Sequence, residues 1–448
     1  MNPNNKQGLS KKDYADYEFI VKEIGRLLSL GGPKELLDYY RTHQADALFG
    51  TLPTEDGRSF PCSYEGVERF RQIVVRGVDA LGLAGKKHSV KVLTHALKEK
   101  FVREAKEITA NTTAENAHEL FLCVAREEEA KHEELTHYIP CAVVTDRTPD
   151  RFAIRPVNFV LREIFMEEND DALRKEADSY PHGEFELQEL REFFSKYSWV
   201  ALVKAPPCDP EVSKARARLA IQRALNLIKL FFPSDRTRRV AQAGELTTPV
   251  NTSWLVSSDA RGFTLSWSRR GLDAILTDNW FEQISAFDQW KIAEWVILTS
   301  WERWDEVPEP YQRFLDGLAW HGDAVSEPDA QARTIKFWTA IERVVSLRDS
   351  DPVVKRAALF SIETPGDYEA RLKQASTLYT RRSMILHGSA RYKDKRSIET
   401  ASKTEDLSRR VLLSYLTNVV SLVRLRENAT REDMTRLFQH FHSVIRGS

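Results

Sequence analysis

The sequence predicts a mainly α-helical chain with a mixed α/β region in its middle and an all-helical bundle at its C-terminal end. Apolar residues recur at helical spacing from about residue 10 to 135, and short segments rich in β-branched and aromatic residues follow. Helical patterns alone continue to the end of the chain. We therefore divide the chain into a helical N-terminal region (1–137), a mixed α/β region (138–275) and a C-terminal helical domain (276–448).

Amphipathic periodicity predicts the N-terminal helices. The apolar residues of YEFIVKEIGRLLSL lie on one helical stripe: Phe19, Ile20, Ile24, Leu27 and Leu28. Gly31, Gly32 and Pro33 follow, which predicts the end of this helix. The segment GTLPTEDGRSFPCSYEG is rich in Gly, Pro, Asp and Ser, so we predict a loop there.

The middle region carries strand signals. YIPCAVV, RFAIRPVNFVL and YSWVALV are short and rich in β-branched or aromatic residues, and NTSWLVSSDARGFTLSWSRRG predicts a β-hairpin. Pro210 suits the first turn of a helix, and ARARLAIQRALNLIKLFF after it has the pattern of an amphipathic helix.

Tryptophan is concentrated toward the C-terminus: nine of the ten lie after residue 250, and seven lie between Trp280 and Trp338. Because each buried tryptophan removes a large apolar area from water, this clustering predicts a separately packed aromatic core.

Ser402 with Glu405 has the form of a capping box, and Thr430 with Asp433 is a looser version of it. The helices predicted here span about 278–304, 309–319, 328–348, 353–361, 367–387, 404–426 and 430–445.

Composition limits the classes of function. The chain has 65 Lys and Arg against 66 Asp and Glu, so a surface that binds nucleic acid must be a local patch. Four scattered cysteines form neither a disulfide framework nor a zinc pattern. The polar N-terminus has no secretory signal pattern and no apolar run is long enough to cross a membrane, which predicts a cytoplasmic protein.

The absence of several sequence motifs disfavours the enzyme classes that depend on them. GxxxxGK[ST], GxGxxG and GxSxG do not occur, so nucleotide-driven motors, dinucleotide enzymes and α/β-hydrolases are disfavoured. His132, Glu133 and His137 approach the zinc-binding HExxH pattern. Their two histidines are five rather than four positions apart, about 140° around a helix, so we predict a solvated acidic helix face there and no metal site.

The stretch LYTRRSMILHGSARYKDKR, residues 378–396, is the candidate for chemistry. An apolar stripe leads into it and is expected to fix the helix to a core: Tyr368, Leu372, Ala375 and Tyr379. An Arg-x4-His pair by itself is expected about once by chance in a chain of this composition, so its surroundings carry the argument.

Helical spacing brings several polar groups of this stretch together. Tyr379, Ser383 and His387 follow at i, i+4 and i+8 and so share a face. Arg382 lies about 140° from His387, and its long side chain reaches the same cleft. Gly388 is placed as the residue that ends the helix, so His387 lies at a helix C-terminus, where the dipole favours its protonated form.

The same stretch is basic. Between Arg371 and Arg396, eight bases stand against the single acid Asp394, a local charge of +7 in a chain of net charge −1. Charge alone leaves two interpretations open, a phosphate-binding surface or a basic helix end that complements the helix dipole. The bases are Arg371, Lys373, Arg381, Arg382, Arg391, Lys393, Lys395 and Arg396.

LYTRRSMILHG closely resembles the motif of HEPN-domain ribonucleases, and more narrowly that of the Apea-like HEPN branch of anti-phage defence proteins. The residues that match the form Y..RSxIxHG are Arg382, Ser383, Ile385, His387 and Gly388. Upstream, IKFWTAIERVV is similar to the preceding core helix of that family and carries Glu342. The resemblance covers roughly residues 280–448.

The resemblance implies a metal-independent endoribonuclease without cofactor, in which Arg382, Ser383 and His387 are catalytic and Glu342 orients Arg382. It implies a homodimer with a composite site, and RNA as the substrate, with transfer RNA anticodon loops as a candidate. The residues expected to hold RNA are Tyr379, Arg381, Arg391, Lys393 and Arg396. The same resemblance implies an abortive-infection or toxin role with a phage protein as trigger, in which the middle region (138–275) acts as sensor or regulator.

Two other functions remain open from the sequence. In the first, the HEPN domain is a non-catalytic helical module that binds RNA or a partner protein. In the second, the chain is an all-helical assembly protein in which the motif is accidental.

Overall fold

The computed structural model describes residues 9–28, 38, 49–53, 59–80, 87–107, 114–144, 149–179, 181–244, 251–258, 262–269, 279–304, 306–347, 352–390, 396–420 and 429–447. The chain divides into two compact units. The first consists of Met1–Leu135 with Ala205–Arg216, and the second of Thr136–Lys204 with Ala217–Ser448.

The first unit is built mainly from helices α1 (Lys11–Leu28), α2 (Tyr64–Ala80), α3 (Val90–Glu107) and α4 (Ala114–Glu129). Their apolar faces form one core, which includes Tyr17, Ile20, Phe70, Ile73, Leu97 and Phe121. The glycines and proline predicted to end α1 lie outside the described residues.

The prediction that GTLPTEDGRSFPCSYEG forms a loop is wrong for the residues of this segment that the structure describes. Strands β1 (Phe49–Pro53) and β2 (Ser59–Ser63) pair there as an antiparallel ribbon, with Gly50 opposite Cys62 and Thr51 opposite Pro61. A two-stranded ribbon consists of edge strands only, and edge strands tolerate proline. The Gly and Pro content that indicated a loop is therefore compatible with this ribbon.

A five-stranded sheet lies in the second unit. Its strands are β3 (Leu135–Ala142), β4 (Arg151–Ile154), β5 (Val157–Leu161), β6 (Trp199–Ala205) and β7 (Ala241–Gln242), in the order β4-β5-β6-β3-β7. The pairs β4/β5, β5/β6 and β3/β7 are antiparallel.

Both faces of this sheet are covered. Alternate side chains of a strand point to opposite faces, and on this sheet they enter two different clusters of buried residues. Phe159 and Trp199 belong to the large core of the unit. Val160 and Val200 belong to a smaller cluster with Phe165. Phe165 lies on α5 (Arg162–Ala177), which packs in a hairpin with α6 (Gly183–Ser195).

The helices of the second unit continue from α7, which belongs to this unit from Ala217 on, to α16, and the large core joins them to the sheet. Strands β8 (Asn251–Ser258) and β9 (Gly262–Arg269) pair antiparallel, which confirms the predicted hairpin. The helices are α7 (Pro210–Phe231), α8 (Ser234–Thr237), α9 (Trp280–Ser285), α10 (Asp288–Glu302), α11 (Glu309–Ser326), α12 (Ala330–Val345), α13 (Val353–Ser361), α14 (Tyr368–Leu386), α15 (Arg396–Tyr415), which continues as a π-helical turn (Leu416–Val420), and α16 (Arg431–Gly447).

The prediction of a mainly α-helical chain with a smaller β component is confirmed. The helix predicted over 278–304 is two helices, because the backbone at Phe287 is extended (φ −70°, ψ 138°). Thr430 and Asp433 do form a cap, since the Thr430 N–H donates to Asp433 Oδ2 at 2.8 Å.

The capping box predicted at Ser402 and Glu405 is wrong, because α15 begins at Arg396 and carries both residues in its interior. Glu405 is 5% exposed and accepts hydrogen bonds from Ser234 on α8, Arg333 on α12 and Arg409 on α15. The residue that has the form of a capping glutamate is thus a buried ion-pair partner. No described helix is long and apolar enough to cross a membrane.

Candidate active site

Helix α14 carries the Arg-x4-His motif and is fixed to the core along one side. Tyr368, Ala375 and Leu378 are buried there, and Leu372 is partly buried against the same core. Tyr379, predicted as the fourth member of the buried stripe, is instead 36% exposed. Its neighbour Leu378 takes the buried position, so the Tyr379 ring lies at the border between core and solvent.

The C-terminal end of α14 has the predicted form. Gly388 has φ +71°, the left-handed conformation that glycine adopts without cost. Its N–H donates to the Ile385 carbonyl at 3.1 Å, and the Ser389 N–H donates to the Met384 carbonyl at 2.8 Å. These two bonds form a Schellman motif. They place His387 as the last residue before the chain leaves the helix, with its side chain exposed.

Arg382 contacts Glu342 of α12. Its Nη2 lies 3.2 Å from Glu342 Oε1 and 3.3 Å from Oε2, so both carboxylate oxygens face one nitrogen. The two side chains are 22% and 28% exposed, which leaves the ion pair partly shielded from water. Among the described residues, Arg382 makes no other hydrogen bond through its side chain, so donors remain for a ligand.

Two aromatic rings lie beside this ion pair. The Arg382 guanidinium carbon lies 5.8 Å from the centre of the Tyr379 ring, within cation–π range. The Tyr379 ring in turn lies 5.4 Å from the fully buried Trp338 ring of α12. Trp338 therefore supports Tyr379, and Tyr379 borders Arg382.

Trp338 is a site residue that sequence reasoning missed. Its burial fits the predicted aromatic core, but the prediction that this core is packed separately is wrong, because the core is continuous with that of the sheet. The available signal was its spacing, because Trp338 precedes Glu342 by four residues and so lies on the same face of α12.

The structure describes only some of the other predicted site residues. Arg381 and Ser383 are half-buried on the last turns of α14, and Arg396 is the exposed first residue of α15. The predicted RNA contacts Arg391 and Lys393 lie outside the described residues.

The local positive charge is partly balanced. Arg371 lies 3.7 Å from Glu363, which also pairs with Arg410 of α15. Arg382 is paired with Glu342. Lys373 is exposed and has no salt bridge with a described residue. The uncompensated charge in this stretch is therefore smaller than the count of +7 suggests.

The segment considered for metal binding is not a continuous helix. Helix α4 ends at Glu129, His132 lies in the turn after it, and His137 lies in β3. Across the described part of the chain, no group of three or more His, Cys, Asp or Glu side chains is arranged to hold a metal ion.

Comparison with protein-family models, with curated proteins and with solved structures found no significant match for this chain.

Proposed function

We propose that the chain is a metal-independent endoribonuclease of the HEPN type, in which Arg382 and His387 carry the chemistry. The observation that supports this most directly is the ion pair between Arg382 and Glu342, beside Tyr379 and at the exposed end of α14. An arginine held at one nitrogen by a carboxylate is pre-oriented and retains donors for a phosphate.

The reaction proposed is attack of an RNA 2′-OH on the adjacent phosphorus. The 2′-oxygen–phosphorus bond forms and the phosphorus–5′-oxygen bond breaks, which leaves a 2′,3′-cyclic phosphate and a 5′-hydroxyl. A base removes the 2′-OH proton and an acid protonates the leaving oxygen, a task for which imidazole has a suitable pKa range. Arg382 donates to the phosphate oxygens, whose negative charge grows in the transition state.

Glu342 and Ser383 have supporting roles in this proposal. Glu342 fixes the direction of the Arg382 guanidinium through their ion pair. Ser383 lies half-buried one turn before His387. Its hydroxyl is proposed to position the phosphate or the imidazole.

A composite site in a homodimer supplies the second acid–base group that one His387 cannot provide. Exposed apolar side chains flank the motif, which suits burial against a second copy: Met384 is 36% exposed, Leu386 48% and Ile398 72%. We propose that the two copies of Arg382 and His387 face each other across the shared cleft.

RNA is proposed to be held by Tyr379, Arg381, Arg391, Lys393 and Arg396. Tyr379 presents its ring at the surface for a base to stack on, with Trp338 behind it. Transfer RNA anticodon loops are the candidate substrate, and a phage protein is the candidate trigger of an abortive-infection response in the bacterial cytoplasm.

The experiment is to sequence RNA 5′-hydroxyl ends from bacteria that express the full chain, with and without phage infection, beside His387→Ala and Arg382→Ala. We expect cleavage ends in the wild type that both variants lose. Purified wild type should cut the same RNA in EDTA and leave 2′,3′-cyclic phosphates. His440→Ala and Arg436→Ala are the matched controls, because both side chains are exposed on α16.

Cleavage that persists in both variants would contradict the mechanism. Absence of any His387-dependent end under infection, with RNA binding that Tyr379→Ala weakens, would instead support the non-catalytic RNA-binding module.

A further inference from the structure

Helix α6 exposes two phenylalanines on one face. Phe185 is 66% exposed and Phe193 is 42% exposed. Eight residues separate them, about 80° around the helix, and Glu189 and Glu192 lie within or beside that arc. We call Phe185, Glu189, Glu192 and Phe193 the outer face of α6.

Phe193 rests on a rigid aromatic support. Its ring lies 6.2 Å from Phe194 and 5.7 Å from Tyr197. Phe194 stacks at 5.9 Å on Phe165, and both of these rings are 6% exposed. An exposed aromatic ring that packs on buried rings loses little conformational freedom on binding, which is the property of an interface anchor.

The helical hairpin that carries this face is strongly acidic. Residues 162–195 contain eleven acidic and four basic residues, a net charge of −7 in a chain of net charge −1. Three of the hairpin's bases pair with two of its own acids: Arg162 pairs with Glu163 at 2.5 Å, and Arg174 and Arg191 pair with Asp170 at 2.7 and 2.5 Å.

Part of the charge that remains lies on α6. Its four glutamates are exposed, and none has a salt bridge with a described residue: Glu184, Glu186, Glu189 and Glu192. Carboxylates that make no salt bridge with a described residue, beside exposed rings, form a surface that attracts cations in two ways, through charge and through the ring faces.

We propose that the outer face of α6 docks a basic protein segment that presents Arg or Lys side chains beside apolar groups. The guanidinium or ammonium groups lie over Phe185 and Phe193 and pair with Glu189 and Glu192, while the apolar groups cover the rings. RNA is a poor ligand for this face because its phosphates are repelled by the same carboxylates. The inference does not depend on the proposed nuclease function.

The test uses the full chain and a fluorescein-labelled peptide of Arg-Leu-Gly repeats, with fluorescence anisotropy as the readout. We expect the wild type to bind this peptide and to bind a matched peptide with Gln in place of Arg at least about 10-fold more weakly. Phe193→Ser and Glu192→Gln should each weaken binding about 3-fold to 10-fold. Because both side chains are exposed, the variants should keep the wild-type circular dichroism spectrum.

Two substitutions elsewhere serve as matched controls. Phe287→Ser removes a phenylalanine that is 56% exposed before α10, and Glu369→Gln removes an exposed carboxylate of α14. Both should leave the peptide affinity unchanged. Equal affinity in all variants, or equal binding of the Gln peptide, would overturn the proposal. It would also fail if oligouridine bound the chain with an affinity that Phe193→Ser reduces, because the face would then be an RNA surface.

Discussion

Arg382 has two neighbours that both stabilise its charge but differ in whether they compete with a ligand. Glu342 stabilises the guanidinium and competes with any incoming phosphate, whereas the Tyr379 ring leaves the charge available. Because both partners are partly exposed, the ion pair contributes about 1 kcal/mol or less to stability. We therefore expect Glu342 to matter more for the direction of Arg382 than for folding.

Glu342→Gln tests this role. The amide keeps a hydrogen-bond acceptor but loses the charge, so it repels phosphate less and holds the guanidinium less firmly. RNA should therefore bind as tightly as in the wild type or more tightly, while kcat falls about 10-fold because Arg382 is less well oriented. Separate kcat and KM values from cleavage of a labelled RNA provide the measurement. Glu369→Gln, an exposed carboxylate on α14 itself, should change neither constant. A rise in KM at unchanged kcat would show that Glu342 acts on substrate binding and not on orientation.

Gly388 is required by backbone conformation and not by space. Its φ is +71° and a Cβ there would meet no atom within 4 Å. Gly388→Ala should therefore lower the free energy of unfolding by about 1 kcal/mol through left-handed strain alone, and Gly388→Asn by less. Gly366 is the control, because a Cβ there also meets no atom and its φ is not left-handed. Chemical denaturation of the variants measures the difference, and equal stability of Gly388→Ala and Gly366→Ala would contradict the explanation.

Residue-level prediction succeeded where one local rule was sufficient. Gly388 follows from helix-capping chemistry. The contact of Arg382 with Glu342 follows from no local rule and was implied only by the family resemblance. The support of Tyr379 by Trp338 depends on how α12 and α14 pack, which periodicity does not contain.

The helical elements were predictable because each carries an apolar stripe, and α13 and α14 lie close to their predicted ranges. Their ends and the β1/β2 ribbon were less predictable, since Gly and Pro indicate both loops and edge strands. The start of α15 was misplaced because the spacing of Ser402 and Glu405 satisfies a capping rule that tertiary contacts override.

Glu405 joins three helices of the second unit, and its removal should be costly. Its carboxylate accepts from the Ser234 N–H at 2.7 Å and pairs with Arg333 at 3.1 Å and Arg409 at 2.8 Å. Glu405→Gln leaves two guanidinium groups without their buried counter-charge, so we expect a loss of about 3 kcal/mol in unfolding free energy.

Urea denaturation followed by tryptophan fluorescence measures this loss. Glu399→Gln is the control, because Glu399 lies on the exposed side of the same helix and pairs only with exposed Lys403 among described residues. A loss below about 1 kcal/mol for Glu405→Gln would show that the three helices are joined chiefly by apolar packing.

The second unit as a whole has one large core that extends from the sheet into the C-terminal helices. Trp280 of α9 lies edge-on to Phe152 of β4 at 5.3 Å, and Trp290 of α10 lies 5.2 Å from Phe231 of α7. The tryptophan-rich segment is therefore packed against residues that precede it in the chain. We therefore expect a rearrangement of the sheet to affect the helices that carry Arg382 and Glu342.

This continuity predicts that residues 276–448 will not form a native fold when expressed alone. The fragment would expose the faces of Trp280 and Trp290 that contact Phe152 and Phe231, and it would lose the Ser234 contact with Glu405. A buried aromatic side chain covers about 150–250 Å², and the fragment would expose part of this area at each of the two tryptophans. The fragment should therefore bind an apolar dye and melt without a cooperative transition. A fragment of residues 136–448 is the matched comparison and should unfold cooperatively. If residues 276–448 alone gave a sharp transition without dye binding, the helices would be independent of the sheet, and control of the Arg382 site from the middle region would need a mechanism other than the shared core.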